Sequence, residues 1–409
     1  MSNYIPFIRK INFTNNIFDV NFDIIKSNYE NQPKFKLGYH YYTKQVREKM
    51  HLDEFKKRDY FLITNNFESI IPDYNESLDY IISKKLNFDK NQKVITRDFY
   101  KLWEMLVYFD LLNEKEVKTL SLSDNGGFLQ CINEYRNYYY NSSKDTYCYH
   151  SNNEKEISEC LKGTIKNNKI KQTNFISQEN LNISELLLSK NTVNKFIKDN
   201  NLNDIDFITC NGTNNNFNNN LESNFYNYLT GQILTIINVQ KIKGTSILRI
   251  EDCFTDVTIK LLNILGSCYE EVYICKPLFS RSFNNERYFI CKNFNLKESN
   301  KKKIIDKLEN LLDNINDLYK NNSFLFDFAL NYKHDNNLEK IFSEINSKLS
   351  AIEHLNINKI IQYKNGKNYF GEQYHKFRDN QISANKWWES NFIKDDKKLL
   401  ENTRKLIKL

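Results

Sequence analysis

The sequence predicts an α/β fold built on a mostly parallel sheet with an antiparallel last strand, plus an N-terminal extension and a helical C-terminal region. Two observations carry this. Between Asp204 and Phe294, short apolar runs alternate with amphipathic stretches of helical length, and each parallel crossover needs such a stretch. The two closing runs, "EEVYICKP" and "NERYFICKNF", are joined by only residues 279–286. That is too short for a crossover helix, so the last strand turns back.

Taken in order, residues 1–90 show weak periodicity, with Pro6, Pro33 and Pro72 as breakers, and read as an irregular extension. From Thr96 to Leu112 the residues Phe99, Leu102, Trp103, Leu106 and Phe109 fall at helical spacing. The run "VKTLSL" (117–122) reads as a strand, followed by a glycine-containing turn and a helix in "SDNGGFLQCINEY". Residues 140–185 are polar and assign poorly. "DFITC" is a strand. The helix after it places Phe225, Leu229, Ile233, Ile236 and Ile237 on one face. "KGTSILRIED" turns at Gly244 into a strand, a helix starts at Thr255, and the next strand stops at Pro277. Residues 91–296 therefore form the sheet domain, 1–90 the extension and 297–409 a charged helical region.

Composition narrows the function classes. The net charge of +7 (58 Lys and Arg against 51 Asp and Glu) suits a polyanionic partner. Abundant Lys and Asn point equally to plain compositional bias, which also accounts for the Asn-rich loop 214–220. The cysteines 131, 148, 160, 210, 253, 268, 275 and 291 form no C-x-x-C pair and have no histidine at ligand spacing. They read as small core residues of a reduced protein, with no metal site. No apolar stretch approaches the ~18 residues of a membrane span. The expectation is a soluble, cytoplasmic protein.

In an open parallel sheet, ligands bind beyond the carboxyl ends of the strands. Five features converge there: the turn "SLSDNGGF", Asn211 after "DFITC", Arg249 on "SILRIED", Glu286 before the last strand, and Lys101 on the preceding helix. Gly126 and Gly127 would let backbone approach a ligand or would simply form a strand-to-helix turn. Trp387 and Trp388 offer a base-stacking platform or an anchor for a terminal helix. Lysines 301–303 read as a solvated helix face.

From Asp204 to Phe294 the chain resembles the FtsJ/RrmJ-type RNA ribose 2′-O-methyltransferases that use S-adenosylmethionine, above all the cap-methylating branch and its relatives in large DNA viruses. That family shows "DLVTADGG", "GQILLAL", "LKIFD", "FEEVYICKP" and "SRPANSERYIVCKN". Here "DFITCNGT", "GQILTII", "LRIED", "YEEVYICKP" and "SRSFNNERYFICKN" stand in the same order. Upstream, "TRDFYKLWEML" resembles the family's "SRAFYKLWEI".

The resemblance implies a Rossmann-like methyltransferase fold and a Lys-Asp-Lys-Glu tetrad in which a strand lysine deprotonates the ribose 2′-hydroxyl. Carried over position by position, the tetrad is Lys101, Asn211, Arg249 and Glu286, with the aspartate and the strand lysine substituted. An arginine is neutral about one time in a million at pH 7 and cannot serve as the base; Lys101 is the remaining candidate. The cofactor turn, "DLGAAPGGF" or "LSEAPGGF" in the family, is "LSLSDNGGF" here. Its positions are Asp124, Asn125, Gly126, Gly127 and Phe128. Leu122 falls where the first form has glycine and is expected to crowd the cofactor; Asp124 would bind a ligand or cap the helix. Asn182, in "NLNISE", falls loosely where an aspartate contacts adenine. The resemblance thus implies capped RNA as substrate and S-adenosylmethionine as cofactor, with binding weakened. Two readings remain: a methyltransferase homologue, viral in origin, with weak or no methyl transfer, or a non-catalytic RNA-binding or stimulatory subunit of a capping or transcription complex.

Overall fold

A computed structural model describes residues 4–49, 64–67, 77–88, 93–140, 144–150, 170–172, 187, 189–212, 222–366 and 372–407. Its centre is an eight-stranded sheet. In chain order the strands of that sheet are β1 (Phe7–Ile11), β3 (Lys118–Leu122), β4 (Thr146–Tyr149), β5 (Ile170–Gln172), β6 (Ile205–Cys210), β7 (Gln240–Ile250), β8 (Tyr269–Lys276) and β9 (Arg287–Phe294). A separate pair joins β2 (Ile24–Ser27) to β10 (Phe324–Phe328). The spatial order of the large sheet is β1-β8-β9-β7-β6-β3-β4-β5. Strands β5, β4, β3, β6 and β7 run parallel, and β9 is antiparallel to both β7 and β8. The fold is the mostly parallel α/β sheet with a reversed last strand that the loop at 279–286 demanded.

The central strands are buried on both faces and so read as continuous apolar runs. Helices α3 (Asp98–Tyr108) and α4 (Gly127–Tyr139) cover one face with a core that includes Trp103, Phe128 and Tyr147. On the other face lie α5 (Lys190–Asp199), α6 (Tyr226–Val239) and α7 (Asp256–Gly266), around Ile233, Ile237 and Leu261. Thr255 caps α7 by accepting from the Thr258 amide.

The strand expected to begin after a turn at Gly244 begins at Gln240. Between two paired points, β6 advances from Ile205 to Phe207 while β7 advances from Gln240 to Thr245, so the extra residues form a bulge. A Cβ on Gly244 would lie 2.1 Å from Gln240 Nε2 and 3.0 Å from the Asp206 carbonyl. The glycine serves this close approach within the strand, not a turn that precedes it.

The described part of the N-terminal extension is more regular than its periodicity suggested. Strand β1 pairs antiparallel with β8 from Phe7↔Lys276 to Ile11↔Val272. Helix α1 (Leu37–Lys49) lies against the long α9 (Asn336–Gly366), and α2 (Leu78–Lys85) packs against α10 (Glu372–Phe392). The charged α8 (Glu298–Lys320) buries Ile304, Leu308 and Leu311 and leaves Lys302 and Lys303 exposed. The short α11 (Leu400–Leu406) ends the described chain. Both ends of the chain are thus built onto the sheet. The seven described cysteines are buried and free. Among the described residues there is no metal-binding cluster, and no helix long and apolar enough to cross a membrane. Asn182, Cys160 and loop 214–220 lie outside the described residues.

Candidate active site

Strand β3 sends the chain to β4 on one side, and β6 returns on the other, so the carboxyl ends of β3 and β6 form the switch point of the sheet. Asn211 follows β6 there, its amide bonded to the Leu122 carbonyl at 3.1 Å. Arg249 stands near the end of β7 and Glu286 immediately precedes β9. Helix α3 lays Lys101 across them, 7% exposed. The four tetrad positions therefore lie together.

Their contacts are specific. Lys101 Nζ lies 2.7 Å from Glu286 Oε1 and 2.7 Å from Asp98 Oδ1, one helical turn back on α3. Asn211 Nδ2 donates to the other oxygen of Asp98 at 2.9 Å. Glu286 also accepts from Tyr288 at 2.5 Å and from Ser280 and Asn284 at 3.3 Å. Burial alone would raise the Glu286 pKa, but Lys101, Arg249 and Lys276 outweigh it and hold this carboxyl well below the usual range. The Arg249 guanidinium meets Glu251 at 3.1 Å and Glu286 at 3.9 Å. Burial opposes its charge, yet Glu286 and Glu251 raise its pKa further above the ordinary arginine value. Asp98 was not singled out in the sequence. Its only trace there is a carboxylate three residues before Lys101, where the family's "SRAFYK" has alanine.

Two outcomes follow for proton chemistry. Arg249 is held as a cation. Lys101 Nζ is held between two carboxylates, those of Asp98 and Glu286. Lys276 is buried, which pulls its pKa down to about 8. Its three donors go to the Asn284 carbonyl (2.8 Å), Asn284 Oδ1 (3.1 Å) and the Glu286 carbonyl (2.8 Å). Those bonds fix the loop that delivers Glu286.

The cofactor turn differs from expectation at several positions. Gly126 adopts φ 90°, which only glycine takes easily. Gly127 has another use: a Cβ there would meet Thr96 Oγ1 at 2.1 Å and Asp98 Cβ at 3.1 Å. It lets α4 start against α3, which seats Asp98. Asp124 faces inward and accepts from the Phe128 amide at 3.2 Å and the Leu129 amide at 2.7 Å. Of its two anticipated roles it takes that of helix cap, filling from within the N-terminus that could receive an anion. Burial nonetheless pushes its pKa up to about 7.

Phe128 and Leu122 are fully buried core residues. Tyr228 stands at this turn, its hydroxyl sharing a hydrogen bond with Ser123 Oγ at 2.7 Å. That hydroxyl lies 1.8 Å from where a Gly212 Cβ would be, so the bridge spans the gap between the ends of β3 and β6. Asn125 alone of the five turn positions is exposed. Beside the bridge, a cavity of about 100 Å³ is lined by Arg249, Glu251, Tyr228, Tyr226 and Glu222. Trp388, 0% exposed, donates to Glu104 at 3.1 Å and stacks on Phe392. It is an anchor, not a platform.

The FtsJ-like methyltransferase family model matches residues 94–294. Cap-specific mRNA (nucleoside-2′-O-)-methyltransferase 1 of Xenopus laevis is 38% identical over 85 residues, 21% of this chain and 9% of that protein. The protein of the same name from Dictyostelium discoideum is 43% identical over 63 residues, 15% of this chain and 8% of that one. The chain thus matches under a tenth of the length of these relatives. A crystal structure of a ribosomal RNA methyltransferase from Plasmodium falciparum is 20% identical with a TM-score of 0.34, covering 50% of this chain and all of that one.

Proposed function

We propose that this protein, whose residues 94–294 match the FtsJ-like methyltransferase family model, binds capped mRNA through a site whose methyl-transfer chemistry is weak or lost. Arg249 carries the reading. It occupies the position that the resemblance gives to the general base, and two carboxylates keep it charged. The turn supports the same conclusion for the cofactor. Asp124 on the α4 amides and Tyr228 bridged to Ser123 support weakened S-adenosylmethionine binding at this turn. RNA as ligand is supported by the net charge of +7 and by the similarity to cap-specific mRNA methyltransferases. A viral source, and a place beside a capping or transcription enzyme, rest on the resemblance alone.

The test is a calorimetric titration with S-adenosylmethionine, run with a binding and methyl-transfer assay on a short capped RNA. RNA binding without cofactor heat or transfer is the expected result. Micromolar cofactor affinity together with turnover would overturn it.

A further inference from the structure

Asn211 looks like a loss of charge, yet its amide donates to a carboxylate 113 positions earlier. We propose that Asp98 is the aspartate of this site, moved from the end of β6 to the first turn of α3, and that positions 98 and 211 changed as a pair. The functional meaning rests on the reading above; the exchange itself does not.

Three observations carry it. Asp98 spends one oxygen on Lys101 at 2.7 Å and the other on Asn211 at 2.9 Å, so it bridges two of the four positions. With Asp98 counted, Lys101, Arg249 and Lys276 face Asp98, Glu251 and Glu286, three cations against three carboxylates. A carboxylate at 211 would put oxygen against oxygen at that 2.9 Å contact, which two ionised groups do not tolerate. The amide at 211 is therefore what a carboxylate at 98 requires. Gly127 completes the arrangement by admitting the Asp98 Cβ beside α4.

A site drifting without selection would accumulate unpaired buried charges. This one is re-balanced, which fits continued use of its shape and polarity for an RNA ribose and phosphate. Asp98 is then a positioning residue: it holds Lys101 and Asn211.

The plain alternative is that Asp98 only complements the α3 dipole. A swap separates the two. Asn211→Asp, Asp98→Asn and the double variant Asp98→Asn/Asn211→Asp are compared with wild type by thermal melting from pH 4 to 8. The charges facing position 98 are Lys101 on its own helix, Arg249 on β7, Glu286 and Tyr288 at β9, and Asp124 at the turn. None of these changes in the series.

The expected result is a lower melting temperature for Asn211→Asp at pH 7 that recovers toward pH 4, where the two carboxylates share a proton. Asp98→Asn should also melt lower at pH 7. The double variant should return close to wild type, with the amide and carboxylate roles exchanged. Additive losses in the double variant, or an Asn211→Asp protein as stable as wild type at pH 7, would overturn the proposal. Capped-RNA affinity of the same four proteins follows the same order if the site binds RNA. If wild type fails to bind, the reading of the previous section falls while the melting cycle still decides this one.

Discussion

Arg47→Ala tests whether the N-terminal helix is locked to the site. Arg47 on α1 bonds Asp252 at 2.8 and 3.3 Å and Glu353 on α9 at 2.5 and 2.9 Å. The two carboxylate side chains are 6% and 4% exposed. Removing the arginine leaves Asp252 with Arg287 at 3.5 Å and leaves Glu353 without its ion pair. Deleting one partner of a buried pair costs ~3–5 kcal/mol. With an unfolding entropy of ~2.1 cal/mol/K per residue, a chain of this length loses roughly 1 °C per kcal/mol, so the expected drop is about 3–6 °C at pH 7. Burial would raise the Asp252 pKa, but Arg47 and Arg287 outweigh it and hold it below its ordinary value. Stability from this group is therefore complete above the unfolded carboxylate pKa of ~3.9 and is lost as pH falls through the native value. The gap between Arg47→Ala and wild type should narrow toward acid pH. Glu353→Gln added to Arg47→Ala should recover part of the loss, because it removes the stranded charge. A melting temperature within 1 °C of wild type at pH 7, or a gap that widens in acid, would refute the lock.

Three further outcomes are expected. Tyr228→Ala removes the bridge to Ser123 and should strengthen S-adenosylmethionine binding in the calorimeter; an unchanged titration means that Tyr228 does not close the cleft. Trp388→Ala should cost ~3–5 kcal/mol in denaturant unfolding while the folded variant keeps its RNA affinity, since Trp388 is buried. His150, at the end of β4, is desolvated and its pKa falls to about 3. The unfolded state, at ~6.5, binds the extra proton between those values, so stability should fall with decreasing pH across that window by up to about 1.4 kcal/mol per unit. His150→Asn should flatten that limb in a series of denaturation curves.

The sheet between Asp204 and Phe294 was legible because its strands are buried on both faces and its crossovers have helical length. Strand β1 was not: "FIRKI" pairs only along one edge, and its burial follows no alternation. The start of β7 was misplaced because Gly244 reads as a turn, and nothing local distinguishes a turn from a bulge. In the site, each tetrad position sits on an element with a clear pattern. Asp98 escaped notice because an acid three residues before a lysine is ordinary on any helix surface. Its meaning comes from Asn211, which only the fold brings beside it. The role of Gly127 was hidden for the same reason, since its neighbour is α3 and not a ligand.

The paired change at 98 and 211 also reorders the obvious repair of the site. Sequence comparison alone recommends Arg249→Lys together with Asn211→Asp. The structure opposes the second change, because the carboxylate it restores would face Asp98 across 2.9 Å. Arg249→Lys alone replaces a group that cannot lose its proton with one that enzymes bring to a pKa of roughly 7–8. Glu251 and Glu286, now paired with the guanidinium, would favour its charged form and limit the gain. In the Tyr228→Ala background, methyl transfer to capped RNA should therefore be greater for Arg249→Lys than for Arg249→Lys/Asn211→Asp. Adding Asp98→Asn to that pair should bring transfer back to the level of Arg249→Lys. The opposite order would mean that position 211 needs its own carboxylate and that Asp98 does not replace it.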